Sequence, residues 1–218
     1  MQRSMKALAC LFAAAVTTLA ATAAQAQSQS KLAAAAPVTY DNKYEVYGGI
    51  NFMNFQAGQD IPKRMNLGGI EVAGTYWLTH KLGLTAEYRG EAGTTPVIPT
   101  ARNVNTTVQP LVVLHSGLFG VQYRGPKSQR AAINYHAYGG AAYGDFTESG
   151  IVNNGPQSAG LYDNHTAPIF ALGGSVDFNR SKNFAIRLSP DLILEHFGTE
   201  TREFFAISGG VIYRFGQK

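Results

Sequence analysis

The sequence is poor in cysteine, in long apolar runs and in charge, and each shortage excludes a class of protein. Cys10 is the single cysteine among 218 residues. It lies in the apolar N-terminal segment, so the rest of the chain offers no disulfide and no Cys-based metal site. Beyond that segment no run of about 18 apolar residues occurs, so a transmembrane helix is not predicted. Charged residues make up 15%, the formal net charge is +4, and no basic cluster alternates with aromatic residues, so a nucleic-acid partner is not expected.

The N-terminus has the three parts of an export signal. Basic residues open it, residues 7–23 are rich in Ala, Leu and Val and carry no charge, and Ala24-Gln25-Ala26 matches an A-x-A cleavage site. We therefore predict a signal peptide over residues 1–26, followed by a flexible periplasmic tail over residues 27–43. An N-terminal anchor helix is the weaker alternative, because small residues dominate the segment and a cleavage site follows it.

Alternation of apolar and mixed positions marks the remainder of the chain as β-strands. In the C-terminal segment 205–215 every second side chain is apolar apart from one glycine, which is the pattern of a strand with one apolar face. Most such segments reach or exceed the roughly 9–11 residues that a tilted strand needs to cross a membrane, whereas soluble strands average about 5–6. Eight segments are predicted, at residues 44–55, 66–78, 82–91, 109–124, 131–145, 167–179, 184–196 and 204–215.

Short and long connections alternate between these segments. The long connections lie at 56–65, 92–108, 146–166 and 197–203. This alternation is typical of an outer-membrane barrel with tight periplasmic turns and extended extracellular loops. The predicted fold class is therefore all-β: an eight-stranded antiparallel up-and-down transmembrane β-barrel over residues 44–218, in the outer membrane. A soluble lipocalin-like barrel is the alternative, and it would place the apolar side chains inside.

Charged residues within the strands fall mainly on the parity opposite to the apolar face. A charge that faces lipid at mid-depth costs about 2–4 kcal/mol, so this parity is predicted to point into the barrel, whose interior is just wide enough for side chains. We expect a paired ion network there, because buried ions are costly unless paired. A proton path, a narrow pore and an acid/base site are the functional alternatives. The predicted inward charges are Glu45, Glu71, Glu87, Arg89, Asp177, Arg187, Asp191, Glu195 and Arg214.

Two further features of the strands carry expectations. A bulge is expected at Pro190, because a central proline cannot donate to the ladder. Aromatic residues near strand ends on the outward face are predicted to form interfacial girdles, although aromatic residues also favour strands in general. These residues are Tyr44, Tyr76, Tyr123, Tyr135, Tyr143, Tyr213 and Phe215.

Three strand segments carry a recognisable pattern, which opens with Y-x-x-x-G-G and closes with G-G-V-x-Y-x-F. They are Tyr44-Glu45-Val46-Tyr47-Gly48-Gly49, Gly83-Leu84-Thr85-Ala86-Glu87-Tyr88 and Gly209-Gly210-Val211-Ile212-Tyr213-Arg214-Phe215. They resemble the small outer-membrane β-barrel domain family, which includes the OmpA-type and opacity-type barrels. The resemblance implies an eight-stranded membrane barrel that the barrel assembly machinery inserts. Family members often end on an aromatic residue, whereas Gly216-Gln217-Lys218 follow Phe215 here.

The sequence contains no recognisable catalytic or metal-binding motif, so neither an enzyme nor a cofactor is predicted. His115 and Ser116 are adjacent on a strand and therefore point to opposite faces, which prevents a direct proton relay between them. His136 is expected to be a hydrogen-bonded side chain of the barrel interior. No G-x-S-x-G elbow occurs, and no histidine pair has metal-ligand spacing with a carboxylate.

The predicted function is a structural or interaction role in the outer membrane. The connections 92–108 and 146–166 are the candidate contact surfaces for an extracellular ligand. A small ion or solute pore is the alternative, and a lipid-modifying enzyme is a weaker one. The predicted partners are the outer-membrane bilayer, the barrel assembly machinery and that extracellular ligand.

Overall fold

The computed structural model describes residues 37–58, 63–96, 98–99, 107–146 and 160–217. The predicted signal peptide and most of the predicted tail lie outside these residues. Most of the 146–166 connection and much of the 92–108 connection also lie outside them. Among the described residues, no helix is long and apolar enough to cross a membrane.

Eight long strands close into an antiparallel barrel. The strands of the chain are β1 (Asn42–Phe55), β2 (Met65–Trp77), β3 (Leu82–Thr94), β4 (Ile98–Pro99), β5 (Thr107–Val108), β6 (Leu111–Lys127), β7 (Ala131–Asp145), β8 (His165–Asn179), β9 (Phe184–Glu195) and β10 (Arg202–Gln217). Each long strand pairs with the next one along the chain, and β1 closes the barrel onto β10. The predicted eight-stranded antiparallel barrel is therefore confirmed. The small β4–β5 hairpin in the connection between β3 and β6 is not predicted, because two-residue strands leave no alternation to detect.

The apolar parity of the strands points outward and the polar parity points inward. In β1, for example, Ile50 is 73% exposed and the neighbouring Asn51 is 5% exposed. The same alternation of exposed and buried positions continues along β9. Because the charged side chains are inside and the apolar ones outside, the lipocalin-like alternative is excluded.

The end of the barrel with the long connections, here called the loop end, has a mainly apolar interior. It is filled by the loop-end cluster, which comprises Phe55, Phe146, Tyr162, Phe197 and Phe204. The ring centroids of Phe55 and Phe204 are 4.9 Å apart, and Tyr162 N donates to Ala57 O at 3.0 Å, which ties two loop roots together. The sequence does not predict this cluster, because several of its members lie at or beyond strand ends, where alternation stops.

Pro190 lies in β9 without the expected bulge. It pairs with Ile207 of β10 in an uninterrupted ladder, and the register between β8 and β9 is the same before and after it. The missing N–H therefore removes ladder bonds locally without adding a residue. A register shift occurs instead between Arg124 and Lys127, where β6 pairs with β7.

Residues 37–41, here called the N-terminal strap, lie across the opposite mouth of the barrel, the turn end. Tyr40 is buried, and its hydroxyl donates to Ser128 O at 2.6 Å. The guanidinium of Arg124 lies 5.1 Å from the Tyr40 ring centroid. The sequence predicts that residues 27–43 are flexible, whereas the structure packs the strap against the mouth and begins β1 at Asn42.

Candidate functional site

The predicted inward charges all lie inside the barrel, where each is buried. They come from six of the eight long strands, and they form two clusters and one isolated carboxyl group. The turn-side cluster contains Glu45, Arg124, Asp177, Arg187 and Arg214. The central cluster contains Glu71, Glu87, Arg89, His136 and Asp191.

Two carboxylates are shared among three guanidinium groups in the turn-side cluster. Arg187 donates from Nη2 to Glu45 Oε1 at 2.6 Å and from Nε to Asp177 Oδ1 at 2.7 Å. Arg214 donates to Asp177 Oδ2 at 2.9 Å, and Arg124 donates to Glu45 Oε2 at 3.4 Å. Each carboxylate thus contacts more than one cation, which is the arrangement that buried ions need.

Arg124 belongs to this cluster, although it is not among the inward charges predicted from the sequence. Its guanidinium carbon lies 3.8 Å from the ring centroid of Trp77, the single tryptophan of the chain. A parity signal exists, because Gln122 and Arg124 are buried on one face of β6 while Tyr123 is exposed on the other. Glycines on both faces of β6 obscure that signal in the sequence.

In the central cluster one guanidinium forms ion pairs with three carboxyl groups. Arg89 donates from Nε to Glu87 and from Nη2 to Asp191, each at 2.5 Å, and its Nε lies 3.5 Å from Glu71 Oε2. His136 Nε2 lies 2.6 Å from Asp191 Oδ1 and provides that carboxylate with a second partner. Glu71 and Glu87 therefore depend on Arg89 for their ion pairing among the described residues.

Gly173 in β8 makes room for the contact between His136 and Asp191. A Cβ at this position would clash with Asp191 Oδ1 and would lie 2.7 Å from His136 Nε2. On the outer wall, by contrast, a Cβ at Gly74 would meet nothing within 4 Å. The central cluster thus requires a residue without a side chain on the neighbouring strand.

Glu195 is a buried carboxyl group outside both clusters. Neither of its oxygens has a hydrogen-bond partner among the described residues. Glu91, which is also buried, accepts a hydrogen bond from Asn51 Nδ2 at 2.8 Å. Arg202 of β10 is opposite Glu195 in the strand register, but its guanidinium donates to Gln56 Oε1 at 2.7 Å. Within the part of the chain that the structure describes, Glu195 is therefore a buried carboxyl group without an ion pair.

The predicted interfacial aromatics all face outward, and all except Tyr143 lie towards the turn end. We call this set the turn-end girdle: Tyr44, Tyr76, Tyr123, Tyr135, Tyr213 and Phe215. Part of it is a continuous row, since the ring centroids of Tyr76 and Tyr44 are 5.5 Å apart and those of Tyr44 and Phe215 are 5.4 Å apart. These rings form an amphipathic band around the outer wall, next to the turns.

A second ring of exposed aromatics lies eight residues further along the strands. Tyr143 follows Tyr135 at this spacing in β7, and Phe205 precedes Tyr213 at the same spacing in β10. At about 3.3 Å per residue and a strand tilt of about 40°, the two rings are about 20 Å apart along the barrel axis. We call the second set the loop-side ring: Phe52, Tyr143, Phe170 and Phe205.

The histidine and serine that are adjacent in β6 do not form a catalytic pair. His115 Nδ1 lies 2.7 Å from the hydroxyl of Tyr88 on the outer wall. Ser116 is buried inside, and its Oγ has no hydrogen-bond partner among the described residues. Within the same residues, no group of three or more His, Cys, Asp or Glu side chains is arranged to hold a metal ion. No proton relay therefore reaches Ser116 in this arrangement.

The barrel is similar to solved structures of small outer-membrane proteins. Ail, the attachment invasion locus protein of Yersinia pestis, solved with the heparin analogue sucrose octasulfate, is 15% identical with a TM-score of 0.52, and the match covers 80% of this chain and 99% of Ail. Neisserial surface protein A is 11% identical with a TM-score of 0.53, over 79% of this chain and 97% of that protein. No protein-family model matches the sequence, and no curated protein matches it. The chain thus has the fold of the small eight-stranded outer-membrane barrels, as the sequence resemblance implies.

Proposed function

We propose that this protein is an integral outer-membrane barrel with a sealed interior that acts through its loop-end surface. The outer wall supports a membrane location, because exposed apolar side chains such as Ile50, Ile70 and Leu188 cover it between the two aromatic rings. The spacing of about 20 Å between these rings is close to the apolar band of about 25 Å in outer-membrane barrels.

The filled interior is the observation that carries the proposal. Starting at the turn end, the N-terminal strap covers the mouth with Tyr40, and the turn-side and central clusters occupy the next levels with paired charges. On the loop side Glu91 and Glu195 are also buried, and the apolar rings of the loop-end cluster fill the interior there. Side chains from opposite walls therefore meet at each level, as the width of an eight-stranded barrel leads one to expect.

The described residues favour neither of the two alternative functions, a pore and a lipid-modifying enzyme. A pore needs a polar path from one mouth to the other. The apolar rings of the loop-end cluster lie between the charged half of the interior and the loop-end mouth. A lipid-modifying enzyme needs a nucleophile within reach of a base, and Ser116 and His115 lie on opposite sides of the barrel wall.

The proposal includes the partners that the sequence analysis predicts. Export by the signal peptide at 1–26 and insertion by the barrel assembly machinery would deliver the chain to the outer membrane. The connections 92–108 and 146–166 would then face the exterior as contact surfaces. Ail, which shares this fold, has been solved with a heparin analogue, and this gives a precedent for ligand contact by such a barrel.

The decisive experiment is a conductance measurement on the refolded mature protein in planar bilayers. Folding is verified beforehand by the mobility shift of the unboiled sample on a gel, and a wide porin in the same bilayers serves as the positive control. We expect no steady channel, because both mouths and the interior are occupied. Reproducible channels from a verified barrel would contradict the sealed interior and would assign the inward charges to permeation.

A further inference from the structure

A ring of basic side chains surrounds the turn end, just beyond the turn-end girdle. Its members are Lys43, Lys81, Lys127, Arg130, Arg180 and Lys182. Each of the three hairpin turns at this end contributes to the ring, and the start of β1 adds Lys43. Asp41 is the one acidic side chain that is not buried in the barrel among the described residues of this end. The turn end therefore presents positive charge around its full perimeter.

The loop end does not share this bias within the part of the chain that the structure describes. Its charged side chains are of both signs: Lys63, Arg64, Asp145, Asp163, Glu200, Arg202 and Glu203. Some of them pair locally, since Arg202 Nη2 lies 3.8 Å from Glu200 Oε2. The positive charge is thus a property of one end of the barrel and not of the whole surface.

The basic ring lies at the depth where lipid headgroups meet the protein. The ammonium of Lys43 lies 5.9 Å from the ring centroid of Tyr44 and 5.6 Å from that of Tyr76. Interfacial aromatic rings lie at headgroup level, so Lys43 is held at that level too. A long basic side chain in this position keeps its charge in the headgroup layer while its stem covers apolar surface.

We propose that this basic ring binds the anionic phospholipid headgroups of the bilayer leaflet at the turn end. The inference rests on the proposed membrane location. A circular arrangement of single cations matches a leaflet that surrounds the barrel, whereas an acidic protein partner would need the charges on one side. Each Lys or Arg near an anionic lipid surface contributes about 1 kcal/mol, and salt screens the attraction over about 10 Å at 0.1 M.

The test measures which lipids associate with the barrel perimeter. The mature protein is refolded into phosphatidylcholine vesicles, and spin-labelled phosphatidylglycerol and phosphatidylcholine are compared by electron spin resonance. We expect phosphatidylglycerol to associate up to about fivefold more strongly at low salt, which corresponds to about 1 kcal/mol per lipid. The preference should disappear in about 1 M NaCl, because this salt reduces the screening length to about 3 Å.

Two variants locate the effect at the turn end. The neutral variant K43Q/K81Q/K127Q/R130Q/R180Q/K182Q should lose the preference, and the loop-end variant K63Q/R64Q should keep it. The charge-conserving variant K43R/K81R/K127R/R130K/R180K/K182R should also keep it, which separates charge from side-chain shape. If the neutral variant does not fold, the salt series on the unaltered protein decides instead.

The possible failures are distinguishable. Absence of any motionally restricted lipid would show that no barrel is in the bilayer and would contradict the proposed function itself. The basic ring would be overturned as a lipid-binding surface if restricted lipid showed no preference for phosphatidylglycerol. It would also be overturned if the loop-end variant removed the preference. A salt-insensitive preference would overturn it as well, since exposed charges are screened.

Discussion

At the scale of the residue, two of the buried arginines, Arg187 and Arg89, differ in how many other cations contact their carboxylate partners. Arg187 shares Glu45 and Asp177 with Arg214, which also contacts both carboxylates. Among the described residues, Arg89 is the one cation paired with Glu71 and Glu87. The cost of removing a buried cation depends on what remains beside the orphaned carboxylates, so the two positions should respond differently.

Replacement of Arg89 by methionine should therefore destabilise the barrel more than the same change at Arg187. We expect R89M to lower the free energy of unfolding by about 3–5 kcal/mol, the range for breaking a buried pair. R187M is the matched control with the smaller loss, because Arg214 continues to contact Glu45 and Asp177. Urea unfolding in lipid vesicles, followed by the fluorescence of Trp77, measures both. Equal losses would show that the clusters act as one network.

Replacement of the isolated Glu195 should raise the free energy of unfolding, whereas replacement of the two arginines should lower it. Glu195 is buried without a partner among the described residues, so E195M should remove a desolvation penalty and raise the free energy of unfolding by about 1–3 kcal/mol. E91M is the control and should not stabilise the barrel, because it leaves the Nδ2 of Asn51 without its 2.8 Å acceptor. A loss of stability in E195M, measured in the same urea titration, would show that Glu195 has a partner in solution.

At the scale of the element, the sequence predicts the strands better than it predicts what fills the barrel. Strand parity assigns the inward charges because bilayer and interior demand opposite polarity on the two faces. It fails at the loop end, where residues such as Phe146 and Phe197 follow the last strand residue and fold back into the interior. It also fails for the strap, because Tyr40 is positioned by contacts to residues that are distant in the sequence, such as Ser128.

The strap should protect the turn-side interior from solvent. Tyr40 accepts from Asn179 Nδ2 at 2.6 Å and lies beside Arg124, which covers Trp77. We expect Y40A to increase acrylamide quenching of Trp77 and to lower the free energy of unfolding by roughly 2–3 kcal/mol, just below the usual loss for truncating a core aromatic. Y44A is the control, because Tyr44 is on the outer wall, and its quenching should match that of the unaltered protein. Unchanged quenching in Y40A would show that the charge network alone seals the mouth.

At the scale of the whole molecule, the closed ladder, the apolar outer wall and the height of that wall all suit a barrel that crosses a bilayer. The closed ladder from β1 to β10 leaves no strand edge in the barrel wall, which is a requirement for strands in lipid because unpaired backbone groups are costly there. The inward charges leave the outer wall apolar, and the two aromatic rings limit that wall at both ends. The height of the apolar wall should therefore match the bilayer in which the barrel is most stable.

The spacing of the aromatic rings predicts a preference for thin bilayers. The rings are about 20 Å apart, whereas typical hydrocarbon cores are about 30 Å thick and mismatch costs fractions of a kcal/mol per Å. We expect the free energy of unfolding to be greatest in short-chain phosphatidylcholine vesicles near 20 Å and to fall by about 2–4 kcal/mol in bilayers near 30 Å. Urea titrations across a series of saturated acyl chains, with the headgroup held constant, measure this dependence. A maximum in the thickest bilayers would mean that the loop-side ring, with Phe52 and Phe205, does not mark the upper interface, and the apolar wall would then have to extend into the loop end.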